Sequence, residues 1–155
     1  MKHWPEFDKN GDLPVGVHRG TLVEVLQHFG TGSIQRRLVA QRLERIHKLA
    51  YTTGEVARFV VFGSFITAKP DPEDVDVFLL MEDSFDFQRV RGEEAAIVFD
   101  HLAVQNLEGA SVFWIRRQAA IEGEQAAIEH WQFKRDKTRR GIVEVIDDDQ
   151  ERSGA

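Results

Sequence analysis

Two apolar runs organise the chain: Phe59-Val60-Val61-Phe62 and, after a polar spacer, Val75-Asp76-Val77-Phe78-Leu79-Leu80. Both are too short for buried helices and too continuous for exposed coil, so they predict strands over Val56–Phe62 and Val75–Met81. A third strand is expected over residues 111–116, around Val112-Phe113-Trp114-Ile115. Helical periodicity lies between and before these runs. Thr21-Leu22-Val23-Glu24 reads as a capping box opening a short helix that stops at Gly30. Ser33 caps a longer one reaching about Thr53, with Ile34, Leu38, Val39, Leu43, Ile46 and Ala50 as its buried stripe. Arg36, Arg37, Arg42, Arg45 and Lys48 then cover its other faces as a solvated surface.

The remaining segments are weaker. Residues 1–20, rich in Pro and Gly, predict an irregular lead-in. Within it, Asp8-Lys9-Asn10-Gly11-Asp12 looks like a calcium loop, but Leu13 and Arg19 stand where that loop needs Gly and Glu. A turn is the better reading. Residues 84–99 read as helix-like with a kink near Gly92, and residues 119–130 as a helix. Residues 131–135 and Ile142–Ile146 predict a closing hairpin around Lys137-Thr138-Arg139-Arg140-Gly141. The order predicts an α+β fold in which helices pack mainly on one face of a short mixed sheet. One domain spans residues 1–146, and the Asp-rich residues 147–155 are expected to be a disordered acidic tail.

The two strongest strands carry the chemistry. The first ends in Gly63-Ser64; ten residues on, Asp74-Val75-Asp76 opens the second. Residues two apart on a strand face the same way, so Asp74 and Asp76 project together. Adjacent carboxylates repel unless a cation lies between them, and Mg²⁺ or Mn²⁺ suits that role. Gly63 lets the backbone approach a ligand closely, while Ser64 offers a hydroxyl and an amide to phosphate. Together these features predict a site for a metal-bound nucleoside triphosphate.

Composition narrows the setting. The 155 residues are 42% apolar, with eleven Phe and three Trp, enough for one packed core. No cysteine occurs, which excludes disulfides and thiolate metal sites. The six His show no HExxH-like spacing for zinc, and Gly63-Ser64 lacks the Gly-Lys-Ser/Thr ending of a Walker loop. No signal peptide or membrane-length apolar run is visible, so a cytoplasmic location is expected. Net charge is −6, of which the tail contributes −3, and this acidity argues against general nucleic-acid affinity.

The constellation Gly63-Ser64, a spacer, then Asp74-x-Asp76 among apolar residues resembles the polymerase-beta-like nucleotidyltransferase superfamily over roughly residues 34–116. The resemblance implies that Asp74 and Asp76 hold divalent ions and that Gly63 and Ser64 bind phosphates. It implies nucleotidyl transfer by two-metal catalysis. It also implies a third carboxylate on a later strand. Asp100, in Ile97-Val98-Phe99-Asp100-His101, is the candidate; the competing reading of the same residue is a helix-end acid. The strand around Val112-Phe113-Trp114-Ile115 carries no acid. More narrowly, Leu13-Pro14-Val15-Gly16-Val17-His18, His28-Phe29-Gly30-Thr31 and Gly63-Ser64-Phe65-Ile66-Thr67-Ala68-Lys69-Pro70 resemble small bacterial nucleotidyltransferase-like proteins, some of them toxin–antitoxin-associated.

Lys69 is the candidate for neutralising triphosphate charge, beside the alternative of an ordinary surface lysine. Asp71 and Glu73 fit turn chemistry. Lys134, Arg135, Lys137, Arg139 and Arg140 predict one basic patch at a hairpin tip, able to hold an RNA or protein acceptor, an acidic partner or triphosphate. Two functions follow. One is an Mg²⁺-dependent nucleotidyltransferase moving a nucleoside monophosphate from a triphosphate to a hydroxyl on a protein, RNA or small molecule. The other is a catalytically weak binding module of the same fold, such as one component of a toxin–antitoxin pair.

Overall fold

The computed structural model describes residues 2–147. The expected acidic tail therefore lies, apart from Asp147, outside the described residues. Five strands form one mixed sheet in the order β1-β5-β2-β3-β4. They are β1 (Val17–Thr21), β2 (Val56–Phe62), β3 (Val75–Met81), β4 (Ala110–Arg116) and β5 (Ile142–Ile146). β2 runs antiparallel to β3 and to β5, while β1–β5 and β3–β4 are parallel pairs. Helices α1 (Leu22–Phe29) and α2 (Ile34–Tyr51) precede β2. The short α3 (Phe87–Val90), a 3₁₀ turn over Glu94–Phe99 and α4 (His101–Glu108) fill the β3–β4 connection, and α5 (Glu124–Glu129) follows β4.

The α+β class with helices on a mixed sheet is as expected. The capping box is present: Thr21 accepts from the Glu24 amide, and Glu24 accepts from the Thr21 amide at 2.8 Å. Ser33 caps α2 by accepting from the Arg36 amide at 3.0 Å. Gly92 adopts φ 92° and breaks the segment around it, as its position suggested. Five expectations are corrected. Residues 1–20 are not wholly irregular, because β1 starts at Val17 and pairs along its length with β5. The expected hairpin with Ile142–Ile146 does not form, since β5 pairs with β1 and β2; residues 131–135 instead close a tight turn through the Phe133–Arg139 bridge and the Lys134 N to Thr138 O and Arg140 N to Gln132 O bonds. Residues 84–99 divide into α3 and a 3₁₀ turn, and the helix expected over 119–130 contracts to α5.

The fifth correction concerns the α2 stripe, where Ile34 and Leu38 are 78% and 41% exposed while Arg36 is buried. At 100° per residue the stripe through Val39, Leu43, Ile46 and Ala50 lies opposite Ile34, and Arg36 shares the buried side. The sheet is covered by helices mainly on one face, as expected. α2 packs on the face bearing Phe59, Val61, Val77 and Leu79, and its His47 ring lies 4.9 Å from Phe59. The opposite face carries Val60, Phe62, Asp76, Phe78 and Phe113 in register, and Trp131, just after α5, packs on it. Helical segments thus reach both faces, with the longer helices on one. Further along the second face, Arg58 donates to both Glu144 oxygens at 2.7 Å, pairing a buried carboxylate on β5.

Candidate functional site

β2 ends at Gly63, whose φ of 84° and ψ of −164° lie in a region that side-chain-bearing residues avoid. The chain turns there into a 3₁₀ turn over Ser64–Ile66. The Thr67 amide and hydroxyl both donate to Ser64 O, at 3.1 and 2.7 Å, and Ala68 N donates to Gly11 O at 2.8 Å. The loop is fixed chiefly by Arg36. Its guanidinium donates to Phe29 O at 2.9 Å, Phe65 O at 2.8 Å, Thr67 O at 2.6 Å, and to Lys69 O. One buried cation therefore binds the end of α1 to both sides of the Gly63–Lys69 turn. Sequence reasoning placed Arg36 on the solvated face; the missed signal is its phase, which coincides with the apolar stripe.

Asp76 sits on β3 opposite Phe62 of β2 and Ser111 of β4. Asp74 precedes the strand by one residue and is half-buried. Burial first, then the neighbouring Asp74 charge, pushes the Asp76 carboxyl up to about 6; Arg140, Arg135 and a hydrogen bond from Ser111 act the other way. The Gly63 backbone lies so close that a Cβ built on it falls 3.0 Å from Asp76 Cγ and collides with Oδ2. Gly63, Ser64, Asp74 and Asp76 are thus brought together.

Asp100 does not join them. Its carboxylate caps α4, accepting from the Ala103 amide at 3.1 Å, and it is exposed. On the Asp76 face β4 instead presents Ser111, Phe113 and Ile115. Among the described residues no group of three or more His, Asp or Glu side chains is placed to hold a metal. A metal held here would have two carboxylates, Asp74 and Asp76, as its protein donors. That suits Mg²⁺, which keeps several waters and is commonly held by one or two carboxylates together with substrate phosphates.

The basic cluster divides. Lys134 reaches Asp12 at 2.9 Å and Arg140 reaches it at 3.5 Å. Both line an open groove of about 510 Å³ with Ser64, Lys69, Asn10 and Asp12. Arg135 and Arg140 lie close enough to act on the Asp76 carboxyl. Arg139 instead stacks on Phe133, 6.0 Å from the ring centre, and lines a separate cavity of about 710 Å³ with Ile115, Ile121 and His130. Lys137 is exposed at a turn with φ 71°. The single tip patch is therefore corrected: the cations around the tight 132–140 turn diverge, and Lys134 and Arg140 lie beside Ser64 while Arg139 does not. Asp12, which the sequence offered only as a turn residue, is the acid that orients them.

No helix among the described residues is long and apolar enough to cross a membrane. No curated protein and no solved structure matches the chain. A family model matches residues 5–146, and the chain accordingly belongs to the family of unknown function DUF6932.

Proposed function

We infer that this protein binds a nucleoside triphosphate with Mg²⁺ or Mn²⁺ and transfers its nucleoside monophosphate to a hydroxyl acceptor. The observation that carries the reading is the seating of the Asp76 carboxylate against the Gly63 backbone, with Ser64 following and Asp74 alongside. Asp74 and Asp76 would hold the ion, which when bound supplies Lewis-acid stabilisation of charge on the reacting phosphate. Ser64, Lys69, Lys134 and Arg140 offer a hydroxyl and three cations to the polyphosphate along one groove. Arg36 keeps the turn that carries Ser64 in place. Deprotonated Asp76 is the form that ligates, so metal binding would displace its proton below about pH 6.

A second reading, a catalytically weak module that binds triphosphate and a partner protein, is favoured by one observation. The β4 positions beside Asp76 carry Ser111 and Phe113, and Asp100 is a helix cap. A toxin–antitoxin component in the cytoplasm is one setting for it. Incubating the protein and its Asp76→Asn variant with each α-labelled triphosphate, Mg²⁺ and lysate separates the readings. Label moving to an acceptor only with the native protein supports transfer. Metal-dependent triphosphate binding without transfer supports the module. Binding that survives Asp76→Asn unchanged overturns both.

A further inference from the structure

The face that carries Asp76 also carries aromatic rings. Phe62 lies opposite Asp76 on β2, and Phe113 stands two residues beyond Ser111 on β4. The Trp131 ring joins them, 4.6 Å from Phe62 and 5.1 Å from Phe113. His101 closes the outer side, 4.9 Å from Phe113, with Nδ1 3.3 Å from Val112 O. A carbonyl only accepts, so this contact places the proton on Nδ1 and sets the tilt of the ring. Phe113 is 38% exposed and belongs to β4, at the edge of the sheet.

The polar groups have the opposite distribution. Ser64, Lys69, Lys134 and Arg140 follow from β2 or the segment before β5, while β4 presents Ser111, Phe113 and Ile115 on this face, one ring and no cation. Asp76 on the intervening β3 separates a cationic groove from an aromatic shelf. A nucleoside triphosphate has the same polarity, a polyanion at one end and a planar base at the other.

We propose that the Phe113 ring, backed by Trp131 and flanked by His101, is the stacking surface for the base of the triphosphate held at Asp74 and Asp76. This rests on the metal–triphosphate reading above. Stacking is tolerant of base identity because every base presents a π-face, so the shelf selects nucleotides over bare polyphosphates.

The test compares MgATP with Mg²⁺–tripolyphosphate by calorimetry on the native protein, Phe113→Ala and Phe113→Leu. Phe113→Leu retains apolar bulk without the ring and guards against a folding defect in Phe113→Ala; unfolding midpoints are measured for both. The native protein should bind MgATP roughly tenfold or more tighter than Mg²⁺–tripolyphosphate. Both variants should lose that preference while binding tripolyphosphate as the native protein does. Equal native affinity for the two probes, or a preference retained in folded Phe113→Leu, overturns the shelf and leaves the metal site standing. If neither probe binds the native protein, the metal–triphosphate reading falls and the shelf falls with it.

Discussion

Gly63 and Asp76 are interlocked: the carboxylate occupies the space that any side chain at position 63 would need. The backbone there is also of the kind that costs a non-glycine residue about 1–3 kcal/mol. Gly63→Ala should therefore lower stability by at least ~2 kcal/mol and weaken Mn²⁺ binding by displacing the Asp76 carboxylate. Adding Asp76→Ser, which removes the colliding oxygen, should restore part of the stability but none of the metal affinity. Urea unfolding and metal titration of the single and double variants check this. Additive effects on stability would show that the two residues do not compete for one space.

Arg36 should prove the chief support of the turn. Arg36→Met leaves the carbonyls of Phe29, Phe65, Thr67 and Lys69 without their donor, at a cost of at least ~2 kcal/mol. Arg36→Lys keeps the charge but not the planar fork that reaches all four, so it should recover only part of the loss. Amide exchange of residues 64–69 should quicken in both variants. Full recovery by lysine would mean that charge, not the fork, holds the loop.

The strands that frame the site were legible because each apolar run exceeds what coil tolerates; β2 and β3 begin and end where the pattern predicts. Gly63, Ser64, Asp74 and Asp76 followed from strand alternation and the turn alone. β1 was not legible. Val17-His18-Arg19-Gly20-Thr21 has neither an apolar run nor a clean alternation, and its strand exists through pairing with β5 from the far end of the chain. The same long-range pairing explains the failed hairpin, since β5 had two better partners than the adjacent basic loop. Asp100 was ambiguous for a local reason: a carboxylate at a helix start and one at a strand end share the same flanking apolar residues.

Two half-buried groups should titrate in opposition between about pH 4 and pH 6.5. His47, between Tyr51 and Phe59, is held down to about 4 by burial, so its contribution is present above 6.5 and lost as pH falls through 4. Asp76 is pushed up to about 6, so its contribution is present below 3.8 and lost as pH rises through 6. In the native protein each opposes the slope that the other alone would give. His47→Leu should leave a protein that loses stability as pH rises from 4 to 6. Asp76→Asn should leave one that gains it, and should be more stable at neutral pH by roughly 1–3 kcal/mol. Urea midpoints across the range check both signs, and parallel profiles for the two variants would refute the assignment.

Arg139 and Arg140 are neighbours in sequence with different surroundings, and the groove makes them separable. Arg140 stands beside Ser64 and Asp12 and acts on the Asp76 carboxyl, whereas Arg139 stacks on Phe133 above another cavity. Arg140→Gln should weaken Mg²⁺–tripolyphosphate binding by about threefold to tenfold at low salt, an effect that shrinks as screening grows. Arg139→Gln should leave that affinity unchanged. Asp12→Asn should move it the other way, because Asp12 offsets the charge of both Lys134 and Arg140. Titrations at two ionic strengths test the division. Equal losses from Arg139→Gln and Arg140→Gln would restore the single basic patch that the sequence alone suggested.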